Sequence, residues 1–443
     1  MTLEEALARI AELEQQLRSA LERIEQLERE NARQAGPFRR REELKVKPQE
    51  KKKLGRKPGH PGAYRQRPPD LDETIVVTLE RCPRCGGSVE PGQMLTQYIE
   101  ELPPIRPRVT RLVTWSAECS NCGKVHSTHP LQTSRGQGAA GVQLGPRAQA
   151  LSVLLNKHHG LPLGRVCRVL KQGFGLSLTS GGLSQLVQRV AQKARTQYEE
   201  LIDEVRRSDV VYADETSWYV GGPGHWLWVF TTPCSTVYRI ASSRGHPVAA
   251  RVLGSDFPGV IVSDCATMYN KFPGPQHKCI AHHLQAIQRQ RKQPKMADPS
   301  YLDAWEQFWK DVLELTRARC ELTSESFTRQ RDELRQRADA LLDQEPRQLG
   351  DRKFRTRMLN ARAHLLTCLD YENVEPTNNR AERAIRPAVI ARKLSCGNKT
   401  ERGATASEIL LSLAATAHQQ ARDFLTELAQ ALALTQPQAT LAG

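Results

Sequence analysis

The segment Val210-Val211-Tyr212-Ala213-Asp214-Glu215-Thr216 joins an apolar, strand-forming run to two neighbouring acidic residues. A carboxylate at the end of a buried strand is held rigidly, as a metal ligand must be. Side chains alternate between the two faces of a strand, so Asp214 and Glu215 cannot both face one metal site. We favour Asp214 as the ligand and expect Glu215 to have a structural role. Strands also commonly end in Asp at ordinary turns, so this segment needs support from the rest of the chain.

A second acidic residue follows another predicted strand, Ile261-Val262-Ser263-Asp264. From residue 209 onward the pattern predicts three strands, a helix and a fourth strand, at 210–213, 226–231, 237–241, 246–253 and 260–263. A meander of three strands with the fourth beside the first is the order of a ribonuclease H-like core. Asp214 and Asp264 then become neighbours, where a pair of Mg²⁺ (or Mn²⁺) ions is held.

A third carboxylate, Glu382, lies in a predicted helix that begins after Pro376-Thr377-Asn378. Metal ions held by three acidic side chains can activate a water or a 3′-hydroxyl for phosphodiester transfer. Glu375 and Glu401 compete with Glu382 for this role, though less strongly than Glu215 competes with Asp214. The basic side chains around Glu382 either hold DNA phosphates or form a solvated helix face; they are Arg380, Arg383, Arg386, Arg392 and Lys393.

The composition indicates a polyanionic partner. The 443 residues carry a formal net charge of +15, and the sequence pI is near 9.4, which favours DNA, RNA or an anionic surface as partner. A chain of this length accommodates about two to four domains. No apolar run approaches the roughly 18 residues of a transmembrane helix, and the charged N-terminus is unlike a signal peptide. We therefore expect a cytoplasmic, nucleoid-associated protein without a membrane partner.

Residues 1–32 are predicted to form a coiled coil. Apolar residues recur at every seventh position and again midway between them, as Leu3, Ile10, Leu17 and Ile24, and as Ala6, Leu13, Ala20 and Leu27. This repeat favours a zipper that joins two copies of the chain in a homodimer. A single helix packed on its own body is the alternative.

Residues 33–72 are predicted to be a basic arm. Its first part, residues 33–69, contains 13 Lys and Arg against three Glu, and Gly and Pro punctuate residues 55–62. No regular element is expected there. Such an arm, with Arg56 and Lys57, can follow a phosphate backbone or enter a minor groove of DNA. A solubilising tail is the alternative.

Two Cys-x-x-Cys motifs, Cys82-Pro83-Arg84-Cys85 and Cys119-Ser120-Asn121-Cys122, are each followed by Gly. Their spacing lets two thiolates bind one tetrahedral zinc, and four Cys would complete a structural site within residues 73–135. A redox pair is the alternative, but it would not need a second copy. The 11 cysteines of the chain favour metal sites over disulfides. Cys279-Ile280-Ala281-His282 is either half of another metal site or a buried Cys beside a hydrogen-bonded His.

Residues 140–207 are predicted to be helical and to bind DNA. One helix ends at Gly173-Phe174-Gly175 and the next begins at Ser180. A helix, a Gly-containing turn and a helix with exposed Gln185 and Arg189 resemble a helix-turn-helix. A three-helix spacer is the alternative.

The predicted fold class is multidomain α+β. A coiled coil, a zinc ribbon-like finger and a helix-turn-helix region precede a ribonuclease H-like α/β catalytic core. This core spans residues 208–400 and carries a helical insertion at about 285–372, where the sequence is charged and nearly free of Gly. A C-terminal helix follows at 401–443, with its regular Ala/Leu-rich part at 405–433.

The sequence resembles the transposases of the insertion sequence 66 family along nearly its whole length. The most specific stretch is Pro376-Thr377-Asn378-Asn379-Arg380-Ala381-Glu382-Arg383, and three others also match: Asp214-Glu215-Thr216, Ser263-Asp264 followed by Tyr269, and Cys279-Ile280-Ala281-His282. The basic arm, the paired Cys motifs and the zipper are similar to that family too. The resemblance implies a DDE transposase, with Asp214, Asp264 and Glu382 as its catalytic triad.

We therefore expect a Mg²⁺-dependent transposase that binds the terminal repeats of an insertion sequence and joins them to double-stranded target DNA. Zinc would hold the finger together, and proteins encoded by the same element are candidate accessory partners. Two alternatives stand beside this reading. One is a non-catalytic zinc-finger DNA-binding protein derived from a transposase, which the intact triad disfavours. The other is a metal-dependent DNA nuclease that cuts without joining.

Overall fold

The computed structural model describes residues 15, 65, 67–90, 92–134, 141–292 and 297–433. Contacts divide the chain into two units, Met1–Arg106 and Pro107–Gly443. The predicted coiled coil, apart from one residue, and the predicted DNA-binding residues Arg56 and Lys57 lie outside the described residues.

Little regular structure surrounds the two Cys-x-x-Cys motifs. In the first unit an antiparallel bridge joins Arg81 to Ser88, and the rest of residues 67–90 and 92–106 forms no helix or strand. In the second unit a short hairpin pairs β1 (Ser116–Cys119) with β2 (Gly123–His126). Each motif therefore lies in a tight turn.

Helices precede the sheet of the second unit. They are α1 (Pro146–Val153), which continues as a π-helical turn (Leu154–His158), α2 (Leu163–Phe174), α3 (Ser180–Lys193) and α4 (Arg195–Arg206). The predicted end of α2 at Gly175 and the predicted start of α3 at Ser180 are confirmed. The side chain of Thr179 caps α3 by accepting from the Gly182 N–H, which satisfies one of the free donors at the helix start.

A five-stranded mixed sheet forms the centre of the second unit. Its strands are β3 (Val210–Trp218), β4 (His225–Thr231), β5 (Thr236–Ala241), β6 (Val260–Ser263) and β7 (Gln276–Lys278), and α5 (His246–Leu253) connects β5 to β6. The strand order is β5-β4-β3-β6-β7; β6 lies parallel to both β3 and β7, and the other pairs are antiparallel. The predicted meander with the fourth strand beside the first is confirmed. This order is compatible with a ribonuclease H-like core.

Two features of the sheet differ from the prediction. Strand β3 continues to Trp218 instead of ending at Ala213, because its antiparallel pairing with β4 continues to that residue. Asp214 therefore lies inside a strand and not at its end. Strand β7 was not predicted, since its sequence Gln-His-Lys is polar, yet all three residues are buried.

Alternation along β3 separates two hydrophobic cores. Val210 and Tyr212 face a core that includes the aromatic residues of the helical insertion. Val211 and Ala213 face a second core, which they share with the helices that precede the sheet. Consecutive residues of one strand thus contribute to opposite layers, as the two-residue period of a strand requires.

Helices dominate the chain after β7. They are α6 (Ile280–Arg291), α7 (Pro299–Ala318), α8 (Ser324–Asp343), α9 (Leu349–Asn360), α10 (Thr367–Asp370), α11 (Asn379–Ser395), α12 (Glu401–Gln419) and α13 (Phe424–Leu432). The insertion predicted at about 285–372 corresponds to α6 to α10. None of the helices within the described ranges is long and apolar enough to cross a membrane.

The prediction of one continuous C-terminal helix is wrong. The chain turns after Gln419, with Ala421 in the left-handed conformation (φ 54°). A new helix then begins, because the side chain of Asp423 accepts from the Leu425 and Thr426 N–H groups. Residues 434–443 lie outside the described ones.

Helix α12 covers the outer edge of β5. The strand N–H groups that point away from β4 donate to α12 side chains in three pairs: Thr236 to Thr416 (3.0 Å), Tyr238 to Ser412 (2.8 Å) and Ile240 to Glu408 (2.7 Å). Two residues of strand span about 6.6 Å and four residues of helix about 6.0 Å, so donors and acceptors stay in register. This helix blocks further pairing at an edge that is otherwise open to other strands.

We expect the Glu408→Gln variant to show how the ionisation of the Glu408 carboxyl affects stability. Burial raises the pKa of the Glu408 carboxyl from its ordinary 4.5 to about 7, although Arg239 and the Ile240 N–H oppose that shift. The folded protein therefore binds this proton more tightly than the unfolded chain does, and the stability that Glu408 contributes falls as pH rises from about 4.5 to about 7. The melting temperature of Glu408→Gln minus that of the unchanged protein should therefore increase as the pH rises from 5 to 8.

The matched control is Glu204→Gln, which neutralises an exposed carboxylate on α4. Its melting temperature should stay parallel to that of the unchanged protein over the same pH range. A constant difference between Glu408→Gln and the unchanged protein across this range would contradict the expectation.

Candidate active site

Parallel pairing places Asp214 and Asp264 at the same level of the sheet. The recorded partners are Val210 with Val260, through to Tyr212 with Val262. Strand β6 ends at the next residue, so the same register extended by two positions brings Asp264 opposite Asp214. The β3 edge is open at this point, because β6 has ended while β3 continues.

Helix α11 brings Glu382 to the same place. Asn378, just before α11, donates from its side chain to the Ala213 carbonyl (2.8 Å) and from its backbone N–H to the Cys279 thiol (3.1 Å). Asn378 is itself buried, and Glu382 lies in the first turn of the helix. The start of α11 is thus fixed to β3 at the residue that precedes Asp214.

The carboxylates interact electrostatically. The pKa of Asp214 is raised to about 7, first because the carboxyl is buried and then because of the charge of Glu215. The charges of Asp264 and Glu382 raise the pKa further, while the Glu215 N–H, which donates to Asp214 Oδ1 (2.8 Å), opposes the shift. The structure therefore brings Asp264 and Glu382 each within electrostatic range of Asp214.

Glu215 points to the other face of β3 and is already engaged. Its Oε1 accepts from Arg244 (2.7 and 2.9 Å) and its Oε2 accepts from the Tyr269 hydroxyl (2.9 Å). The side chain of Glu215 is only 1% exposed. Glu382 differs, because its side chain is exposed and has no hydrogen bond or ion pair within the described part of the chain. These contacts favour a structural role for Glu215.

The donor chemistry of the three carboxylates fits a divalent metal ion. Carboxylate oxygens are the ligands that Mg²⁺ and Mn²⁺ prefer. Asp214 and Asp264 each use Oδ1 for a backbone N–H, of Glu215 and of Ala266 respectively, and their other oxygens accept no hydrogen bond from the described residues. A cation would also relieve the repulsion that raises the pKa of Asp214. As they stand, no three Cys, His, Asp or Glu side chains of the described segments are close enough to hold a metal.

The residues of the Cys279–His282 motif have separate roles. Cys279 is buried, burial raises the pKa of its thiol, and the thiol accepts from Asn378. It therefore links the start of α6 to the start of α11. His282 lies in the wall of a cavity beside Asp264, and its buried Nδ1 has no hydrogen-bond partner among the described residues. The buried Cys of the second alternative is present, whereas its hydrogen-bonded His is not seen at Nδ1 within the described residues.

Each Cys-x-x-Cys motif forms a tight turn that ends in a glycine with positive φ. In the first, the Gly86 N–H donates to the Cys82 carbonyl (2.8 Å), and Gly86 has φ 74°. In the second, Cys119 pairs with Gly123, which has φ 69°. Backbone N–H groups inside each turn lower the pKa of the first thiol, those of Arg84 and Cys85 for Cys82 and those of Asn121 and Cys122 for Cys119. Each turn thus favours the thiolate form that binds metal.

The predicted DNA-binding residues fall into two groups. Five of them have exposed side chains: Gln185, Arg189, Arg383, Arg386 and Lys393. Two others are engaged within the protein. Arg380 pairs with Glu375 and stacks on the Tyr212 ring, and Arg392 donates to Ser217 of β3. The engaged pair positions α11 against the sheet.

Sequence reasoning missed the basic side chains of the cavity beside Asp264. The wall of this cavity includes Arg244, Lys271, Arg289 and Arg357. They are far apart in the sequence and belong to no motif, so no pattern of spacing could have grouped them.

The comparisons with known proteins agree with this architecture. The sheet order is compatible with the ribonuclease H-like class, with one acidic residue on β3, a second directly after the neighbouring strand β6 and a third on a later helix. Residues 141–406, more than half of the chain, match the family described as Transposase IS66 family, and the chain belongs to that family. The matched range contains Asp214, Asp264 and Glu382. Membership of a transposase family implies DNA as a partner. A search of curated proteins finds no match.

We expect Mg²⁺ to stabilise the protein through Asp214 and not through Glu215. A ligand that binds only the folded state increases the free energy of unfolding, by about 2.7 kcal/mol at a ligand concentration of a hundred times Kd, and so raises the melting temperature. The Asp214→Asn variant should lose most of the Mg²⁺-dependent increase, and Glu215→Gln should keep it. The measurement is differential scanning calorimetry with and without MgCl₂, with KCl of equal ionic strength as the control.

Asp256→Asn, which changes an exposed carboxylate before β6, should respond to Mg²⁺ as the unchanged protein does. Loss of the response in Glu215→Gln, with retention in Asp214→Asn, would reverse the assignment of the ligand.

Proposed function

We propose that the protein is a DDE transposase that cleaves the ends of an insertion sequence and joins them to double-stranded target DNA. The observation that carries this proposal is that the charges of Asp264 and Glu382 both act on the buried Asp214 carboxyl, inside the range matched by the transposase family. DNA as the partner follows from the family, and the net charge of +15 is in keeping with it.

In this proposal the three carboxylates hold two Mg²⁺ or Mn²⁺ ions. Ions bound there would activate a water or a 3′-hydroxyl and stabilise the leaving oxygen of the phosphodiester. Asp214 and Asp264 are held by the sheet and Glu382 by the Asn378 contacts, so the ligands come from three separate elements. Arg244 and Tyr269 keep Glu215 away from the site by binding both of its carboxylate oxygens.

The remaining parts of the chain would bind and pair DNA ends. In the helix-turn-helix formed by α2 and α3, the exposed Gln185 and Arg189 would contact DNA, and Arg383, Arg386 and Lys393 would contact it near the carboxylates. The basic arm, with Arg56 and Lys57, would follow the phosphate backbone. The zipper at 1–32 would join two copies, as the two ends of an element require. Action in the cytoplasm, at the nucleoid, belongs to this proposal.

A metal-dependent nuclease is the second candidate function. The same carboxylates would cut DNA by activating water alone, and no observed contact distinguishes water from a 3′-hydroxyl as nucleophile. The products of the reaction separate the two functions, because only a transposase joins the cut strand to a target.

We expect Asp264→Asn to abolish both cleavage and joining while preserving DNA binding. Rates should fall by roughly a thousandfold, because metal-ion catalysis supplies several kcal/mol and each 1.4 kcal/mol is about tenfold in rate. The assay incubates the protein, Mg²⁺ and labelled DNA carrying an element end with a supercoiled target plasmid, and measures cut and joined products on a denaturing gel.

Asp256→Asn, with an exposed carboxylate, is the control and should retain full activity. Cut products without joined ones in the unchanged protein would favour the nuclease. Equal activity in Asp264→Asn and the unchanged protein would refute the proposed site.

We also expect the cysteines of the two Cys-x-x-Cys motifs, Cys82, Cys85, Cys119 and Cys122, to bind zinc. Zinc bound to four thiolates closes its coordination sphere and holds such a domain together. Elemental analysis should find one zinc per chain in the unchanged protein and none in the Cys82→Ser/Cys119→Ser variant. Cys234→Ser, at an exposed cysteine outside the motifs, should keep its zinc. Equal zinc content in all three proteins would refute this assignment.

A further inference from the structure

A cavity of about 860 Å³ opens beside Asp264. Separate parts of the chain supply its polar wall: Arg244 before α5, Lys271 in the 3₁₀ turn after β6, His282 and Arg289 on α6, and Arg357 on α9. Asp264 is the one carboxylate among the described residues that line it. The cavity is therefore strongly basic and adjoins one of the proposed metal ligands.

Three cations of this wall have no counter-charge. Arg244 is bonded to Glu215, but Lys271, Arg289 and Arg357 form no ion pair with any described residue. This lack of partners is local. On the same helix as Arg289, for example, Arg291 forms ion pairs with Asp303 and Glu306. A cavity lined by unpaired charges of one sign raises the local concentration of ligands of the opposite sign, so this cavity attracts anions.

Two buried nitrogen atoms in the wall also lack hydrogen-bond partners. They are His282 Nδ1 and Arg357 Nε, counted against the described residues. Buried polar groups are normally paired, and an unpaired donor costs about 1–3 kcal/mol. A ligand rich in acceptor oxygens would satisfy an arginine donor here and neutralise the cations. Phosphate groups have this chemistry, and guanidinium groups bind them through paired N–H donors.

We infer that this cavity binds backbone phosphates of the DNA strand that is cut at the neighbouring carboxylate site. This inference rests on the proposed function, since the strand must enter the carboxylate site for its phosphodiester to react. The cavity shares Asp264 with that site, so phosphates next to the reacting one lie against Lys271, Arg289 and Arg357. These residues position the strand, and the carboxylates act on it.

The test measures binding of a fluorescein-labelled 20-nucleotide DNA, single-stranded and duplex, to the full-length protein without divalent metal. The Arg289→Gln/Arg357→Gln variant should bind both forms more weakly than the unchanged protein. The slope of log Kd against log salt concentration should decrease by roughly 1.4–1.8, since each lost phosphate contact accounts for about 0.7–0.9. Lys292→Gln/Arg352→Gln, which removes two exposed cations at the end of α6 and on α9, should leave the slope unchanged.

Single phosphates of the probe are then replaced by neutral methylphosphonates. In the unchanged protein, one or two positions should weaken binding. In Arg289→Gln/Arg357→Gln the same substitutions should have no further effect, because the charge they meet is already absent. Additive losses at every position, or a salt slope equal to that of the control variant, would overturn the inference.

A free anion is the competing ligand. If inorganic phosphate raises the melting temperature of the unchanged protein while DNA binding is the same in all variants, the cavity holds small anions and the inference is wrong. Lys271→Gln is a second variant with an exposed side chain, and its slope should decrease by roughly half as much. Because binding is measured without metal and without reaction, a protein that lacks the proposed catalytic activity can still show the predicted DNA binding, and the two results are distinguishable.

Discussion

The parallel pairing of β3 with β6 is the constraint on which the site depends. It extends only from Val210–Val260 to Tyr212–Val262, and it sets the level at which the chain leaves the sheet after Ser263. A shift of the register by one residue would turn Asp214 to the face that Glu215 occupies, because strand side chains alternate. The apolar residues before Asp214 contribute to two different cores, which makes such a shift costly. The position of the carboxylate is thus fixed by hydrophobic burial.

Asn378 connects the third carboxylate to this pairing. Its side chain bonds to the Ala213 carbonyl, and its backbone bonds to the Cys279 thiol at the start of α6. One buried residue therefore ties together β3, α6 and α11. This explains in physical terms why the Asn378–Glu382 stretch and the Cys279 motif occur in the same chain. An apolar residue at position 378 would leave the Ala213 carbonyl without its donor and release the start of the Glu382 helix.

Much of the fold could be predicted because its signals are local. Alternation of apolar residues locates β3 to β6, and their order follows from the single helix between β5 and β6. Asp214 and Asp264 followed from that order and Glu382 from the predicted helix after Pro376-Thr377-Asn378, and the family resemblance then implied the same three residues. Strand β7 could not be predicted, since its polar residues are buried only by the tertiary structure. The break at Ala421 was missed because one residue in a left-handed conformation leaves no periodic signal.

The net charge of +15 does not by itself locate a polyanion, but the pairing of the cations supports the proposed location. Some arginines of the helical insertion are neutralised by nearby carboxylates; such pairs include Arg335 with Asp370, Arg337 with Asp311 and Arg362 with Asp339. Several cations around the carboxylate site form no ion pair with the described residues: Lys271, Arg289, Arg357, Arg383 and Arg386. Exposed ion pairs contribute little to stability, and the charges of these paired arginines are largely cancelled by their partners. The unpaired cations concentrate positive potential beside Asp264 and Glu382, where a phosphodiester would react.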